Sequence, residues 1–218
     1  MRIVIAGGHG QIALRLERLL AARGDEVAGI IRRPEQGDDL RDVGAESVVL
    51  DLESASVEEV VAALRGADAA VFAAGAGPGS GASRKDSVDK AAAVLFADAA
   101  VRAGVRRFVV VSSMGADPRH EGDEIFDVYL RAKGEADAYV SGLDDLDWTI
   151  LRPGGLTDDA GKGLVRLEAH TGRGQIPRDD VAAVLAELLD TPATAGLTLE
   201  LVSGSTPVSV AVKSVAGN

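Results

Sequence analysis

The residues best suited to chemistry come almost at once. Residues 5–13, IAGGHGQIA, set Gly7, Gly10 and Ala13 at three-residue intervals, between a β-branched run (RIVI) and a leucine-rich stretch with helical spacing (LRLERLLAARG). In a strand–turn–helix unit Gly7 allows a tight turn, Gly10 lets the backbone come close to a pyrophosphate, and a small residue at 13 lets the helix pack on the strand. The amino terminus of the helix then turns unpaired N–H groups and a partial positive charge toward an anion. Gly7, Gly8, His9, Gly10, Gln11 and Ile12 therefore form a candidate phosphate-binding turn. The Gly-x-x-Gly-x-x-Ala spacing is one residue wider at the front than the usual dinucleotide fingerprint.

Further candidates follow the next strands. A dinucleotide fold that reads NAD usually ends its second strand in an acid, which holds the ribose 2′-hydroxyl, whereas a cation there suits a 2′-phosphate. This chain has Arg32 and Arg33 at that point and no acid until Glu35. A guanidinium can grip a phosphate through two parallel hydrogen bonds, so NADP(H) is expected over NAD(H). Asp51, in VLDLES, is placed to accept from an adenine amino group or to cap a helix. Leu52 is placed to cover the ring or to join the core. Ala74 and Gly75 close the fourth apolar run and lead into a glycine-rich loop, GAGPGSGAS (75–83), where ligands of open parallel sheets are found.

These positions need elements to hold them. Apolar β-type runs recur at 2–7, 26–32, 47–52, 69–75, 107–113, 147–153 and 197–203, and helical patterns fill 10–23, 56–65, 87–103, 127–141 and 179–190. Strands alternating with helices imply crossover units and a parallel sheet. The unbroken apolar character of VVVS and AVFAA fits strands covered on both faces. The expected fold is a doubly wound α/β Rossmann sheet in one domain over 1–218, with 154–218 forming a short substrate-side extension. With only one further helix and strand expected there, the substrate pocket should be shallow.

Composition narrows the partners. The 34 acidic against 23 basic residues give a net charge of −11, and the cations are scattered, which argues against nucleic acid and anionic membranes. The absence of cysteine excludes disulfides and thiolate chemistry, and the three histidines stand in unrelated contexts, so no metal site is expected. No run of eighteen apolar residues occurs. A cytoplasmic monomer or homodimer acting on a small molecule is the expectation.

Seven segments, IAGGHGQIA, IIRRPEQ, DLE, VFAAGAG, FVVVSSMGAD, YLRAK and WTILRPGGLTDD, together resemble the atypical short-chain dehydrogenase/reductase family, near its NmrA-like and flavin reductase-like members. The resemblance implies that Tyr129-x-x-x-Lys133, two side chains on one helical face, is a catalytic pair. Lys133 would hold the nicotinamide ribose and ease loss of the tyrosine proton. Tyr129 would pass that proton to a substrate carbonyl as hydride arrives. Ser113 takes the family's serine position, or Met114 if the register shifts by one. Pro153 and Gly154 would let the backbone cross near the nicotinamide, and Arg152 is a candidate ion-pair partner. Asp179 or Asp180 is placed as the N-cap of the last long helix, with Arg178 just before it. The resemblance implies an NADP(H)-dependent oxidoreductase of a small carbonyl, quinone or flavin-like acceptor. The alternatives are a non-catalytic NADP(H) sensor and, less favoured, an isomerase.

Overall fold

The computed structural model describes residues 1–75 and 85–217. Its organising strand is β1 (Arg2–Ala6), in which every residue after the first is buried. It pairs in parallel with β2 (Glu26–Ile31) on one side and with β4 (Ala69–Phe72) on the other. Beyond β2 lies β3 (Glu46–Val49). Beyond β4 come β5 (Arg107–Val111), β6 (Asp147–Pro153) and β10 (Leu197–Ser203), all parallel. The seven expected strands thus form one doubly wound sheet, and its strand order reverses between β1 and β4. A crevice at the carboxyl ends belongs at that point.

Helices cover both faces. Ile3, Ile5, Val71, Val109 and Leu151 point toward α1 (Gln11–Ala22) and α6 (Arg178–Leu189), where they meet Leu16, Leu20, Val181 and Leu185. Val4, Phe72, Phe108, Val110 and Ile150 point the other way. There they meet Val60 of α3 (Val57–Leu64), Phe96 of α4 (Ala92–Ala103) and Val140 of α5 (Ile125–Ser141). The helix expected over 87–103 opens with a wider π-type turn, Lys85–Ala91, before regular winding begins. α3 starts with a capping box in which Ser56 and Glu59 satisfy each other's backbone N–H groups.

The tail holds more structure than expected. β7 (Gly155–Thr157) pairs with β9 (Gln175–Pro177) in a separate ribbon. β8 (Leu164–Glu168) runs antiparallel to β10, and β11 (Thr206–Pro207) runs antiparallel to β8. The sheet's last edge is therefore antiparallel. Strands of two or three residues are too short to show a period. α7 (Val208–Ala216) alternates valine with smaller residues in a strand-like way, yet forms a helix that buries Ala211 and Val212. A short α2 (Gly37–Asp42) also went unread. α6 begins after Pro177 rather than at Asp179 or Asp180. Both aspartates lie in its first turn and accept from the loop above: Asp179 from the N–H of Gly161, Asp180 from those of Lys162 and Gly163.

Arg107 fixes the opposite end of the sheet. Its buried guanidinium donates to the carbonyls of Asp147 and Leu188 and to the hydroxyls of Thr149 and Thr194, at 2.6–3.0 Å. Burial pulls its pKa down to about 10.

On α5, Gly134 lies so close to residues 117–118 that a Cβ would overlap the backbone of Asp117 and Pro118. In an open helix, glycine to alanine stabilises by about 1 kcal/mol. Here Gly134→Ala should instead cost ~1–3 kcal/mol by overpacking. Urea unfolding checks the sign.

Candidate functional site

At the switch point the end of β1 lies backbone to backbone against its neighbours. Gly7 has φ +79°, and a Cβ on it would sit 2.6 Å from Ala74 Cα. A Cβ on Gly8 would sit 2.7 Å from Gly29 Cα, and the Gly8 N–H donates to the Ile30 carbonyl at 2.9 Å. Gly10 is the N-cap of α1 in extended conformation, and no side chain caps the helix. The first-turn N–H groups are left for a ligand or solvent.

Above this turn opens a crevice of about 240 Å³, lined by Gly7, His9, Gly10, Ile31, Arg32, Asp51, Leu52, Ala74 and Gly75, with Val88 opposite. His9 Nε2 lies 2.6 Å from Asp39 Oδ2, tying the turn to α2. Asp51 accepts from the Glu53 N–H at 3.1 Å, a local turn that closes β3. Arg32 stands exposed at the rim, 3.3 Å from Glu53 Oε2. Arg33 is exposed too, and its backbone N–H is taken by Gln36 Oε1, so of the two arginines it is Arg32 that lines the crevice. Gln11 and Ile12 open α1. Gln11 accepts from Arg15, and Ile12 packs half-buried against the core. Apart from Gly75, the glycine-rich loop expected to follow β4 lies outside the described residues up to position 84.

The second half of the site is built by α5. Tyr129 is half-buried, its ring stacked on that of Phe126 at 5.9 Å between centroids. One turn on, Lys133 is buried, and its ammonium donates to the carbonyl oxygens of Val111 (3.1 Å) and Ala74 (3.4 Å). It also lies 3.4 Å from the buried Asp89 and 5.6 Å from the centre of the Phe72 ring. A further turn along, Asp137 accepts from Ser112 Oγ at 2.7 Å and from Arg152 Nε at 2.9 Å. Burial pushes the Asp137 carboxyl above the usual range, and the Ser112 hydrogen bond and the Arg152 charge oppose that rise. Ser113, half-buried, makes one long contact to the Met114 carbonyl at 3.3 Å. Pro153 is buried at the end of β6, where its carbonyl accepts from the Met114 N–H at 3.0 Å.

A family model described as NAD(P)H-binding matches residues 7–192. The chain belongs to this NAD(P)H-binding family. This family and its epimerase/dehydratase-like and reductase neighbours are consistent with the resemblance to the atypical short-chain dehydrogenases/reductases. It is 37% identical to YhfK of Bacillus subtilis, named an uncharacterized sugar epimerase, over 98% of this chain and 99% of that one. A Bacillus halodurans structure provisionally named an NAD-dependent epimerase/dehydratase superposes with a TM-score of 0.90 at 37% identity, covering 98% of this chain and 99% of that chain. ChuY, an anaerobilin reductase of Escherichia coli, superposes with a TM-score of 0.78 at 26% identity, covering 93% of this chain and 97% of that one.

The crevice fits such a cofactor. Apart from the Gly7 carbonyl at 3.0 Å, a Cβ on Gly10 would meet nothing nearer than 3.8 Å, so this glycine leaves its side-chain space to the crevice. The uncapped α1 can take phosphates, Ile31, Leu52 and Val88 offer apolar walls, and Arg32 and Asp51 offer polar contacts.

Four residues of this region escaped the sequence reading. Asp137 carried a usable signal, since it follows Lys133 by four and continues the Tyr129–Lys133 face. Ser112 was one register from the serine chosen. Asp89 sits on the π-type turn and had no pattern to mark it. Glu17 reads as a surface residue of α1, yet it is fully buried beneath the turn, and neither carboxylate oxygen has a hydrogen-bond partner among the described residues.

Burial pushes the Glu17 pKa up to about 8 from 4.5. Stability from this group is therefore complete below the unfolded value of about 4.5, falls as pH rises, and reaches its floor above pH 8. Glu17→Gln should flatten that slope. The gap in unfolding free energy between variant and parent should widen by roughly 2–4 kcal/mol from pH 5 to 9. Urea denaturation across the range measures it.

Proposed function

We propose that this protein is an NADP(H)-dependent reductase acting on a small carbonyl, quinone or flavin-like acceptor. One observation supports the reading: one and two helical turns after Tyr129 on α5, Lys133 donates to the carbonyls of Ala74 and Val111 and Asp137 accepts from Ser112, at the carboxyl ends of β4 and β5, and Ala74 also lines the crevice. NADPH, when bound, supplies the hydride. Tyr129 donates a proton to the acceptor oxygen, and Ser113 offers its hydroxyl to the same oxygen. Lys133, held by two strand carbonyls and Asp89, keeps a positive charge close by. Arg32 binds the 2′-phosphate at the crevice rim. The reductase activity named for ChuY supports the reaction class.

Sensing without turnover is the second reading, and one feature favours it: Lys133 is buried with its donors directed at protein carbonyls. The epimerase names of two relatives raise an isomerase as a third. Against a large sugar nucleotide stands the tail, whose β8, β10 and β11 extend the sheet.

NADPH should bind about tenfold tighter than NADH, a difference of roughly 1.4 kcal/mol. Arg32→Ala should abolish the preference, as fluorescence titration of both cofactors would reveal; equal affinities in the parent would remove the phosphate clamp.

Turnover decides between enzyme and sensor. With quinones, flavins, aldehydes and ketones as acceptors, Tyr129→Phe should lower kcat about a hundredfold, the scale of general acid catalysis, with NADPH affinity unchanged. A loss of only a few-fold would mean that the proton comes from water. No NADPH oxidation with any acceptor, alongside tight binding, would establish the sensor, and conversion of a sugar nucleotide would establish the isomerase.

A further inference from the structure

We propose that Glu17 is a proton-binding site coupled to the cofactor: the carboxyl beneath the glycine turn takes up a proton as the dinucleotide phosphates settle above it, so cofactor affinity falls as pH rises. The proposal rests on the reading that the phosphates lie on residues 7–10.

The geometry places the carboxyl against the turn itself. Cβ atoms built on Gly8 and Gly29 would lie 2.9 and 2.5 Å from Glu17 Oε1, so this oxygen occupies the space where turn and β2 cross. The side chain is fully buried, and neither oxygen is hydrogen-bonded or ion-paired among the described residues. The charged groups on the surrounding elements are engaged elsewhere or exposed. His9 in the turn is bonded to Asp39, and on α2 Arg41 pairs with Asp38 while Asp42 is exposed. On α1, Arg15 pairs with Asp179 and Arg18 is exposed; Glu26 opens β2 and Arg32, just past it, reaches Glu53. α6, packed along α1, carries Arg178 on Asp158, Asp180 on loop N–H groups, and a half-buried Glu187. Among the described residues no cation neutralises Glu17.

An ionised carboxylate and a pyrophosphate on opposite sides of one glycine turn repel through a poorly screened interior. Protonation removes the repulsion, and by linkage phosphate binding favours the protonated carboxyl. The burial that raises its pKa to about 8 brings this exchange into the neutral to alkaline range.

Calorimetric titration of NADPH at pH 8, in buffers of differing ionisation enthalpy, measures the proton directly. The 2′-phosphate is already ionised at that pH, its second pKa being about 6. The parent should take up roughly 0.2–0.5 proton per cofactor, and its affinity should drop about fivefold between pH 7 and 9. Glu17→Gln should bind with no uptake and little change over that range, and Glu17→Leu serves as a second neutral variant. Binding by the parent without uptake, or uptake that persists in both variants, overturns the coupling and leaves the cofactor site standing. Gly10→Val should abolish binding in a folded protein; unchanged binding would remove the phosphates from the turn and overturn the proposal with them.

Discussion

Backbone must touch backbone where β1 becomes α1, and the rest of the site depends on that contact. Gly7 lies against Ala74 and Gly8 against Gly29, distances that leave no room for a Cβ on either turn residue. Because β1 can approach β4 and β2 so closely just past its last paired residue, α1 starts at the sheet surface with its N–H groups facing the crevice. Side chains at these positions would clash with Ala74 and Gly29 and displace the start of α1 from the crevice it lines. The glycines thus shape the cavity chiefly by what they leave out.

A second constraint is electrostatic. α5 carries a lysine and an aspartate into a nearly dry layer, and each is compensated from another element: Lys133 by Asp89 and the ends of β4 and β5, Asp137 by Ser112 and Arg152. Such pairs contribute little net stability, because desolvation offsets their attraction, but removing one member is costly. Their effect is to hold α5 in one register against the strand ends.

The fold was legible because its long elements have clear periods. Seven apolar runs and the alternation with helices predict the parallel sheet, and the glycine spacing points to the turn. The NAD(P)H-binding family agrees with that reading. What escaped was of two kinds. β7, β9 and β11 are too short to show a pattern, the valine-rich α7 imitates a strand, and β8, whose Val165 and Leu167 alternate inward, carried a period that the seven runs left out. Asp89, Ser112 and the unpartnered Glu17 owe their places to crossings between distant elements, which local spacing does not encode. Arg107, which opens β5 directly after the exposed Arg106, belongs with them: nothing near it in sequence announces a guanidinium buried among two carbonyls and two threonine hydroxyls.

That arginine also ties an early strand to late parts of the chain. The groups that satisfy it come from positions 40 to 87 residues further along the chain, the last of them Thr194. A nascent chain that has delivered β1 to β5 therefore holds a central strand with an unmet charge, and burying it early would cost more than leaving it wet. The full set of partners for Arg107 is present only once α6 and the turn at 192–194 have been made. The pocket that buries this guanidinium is thus completed by a segment far in sequence from the glycine turn at the opposite end of the strands.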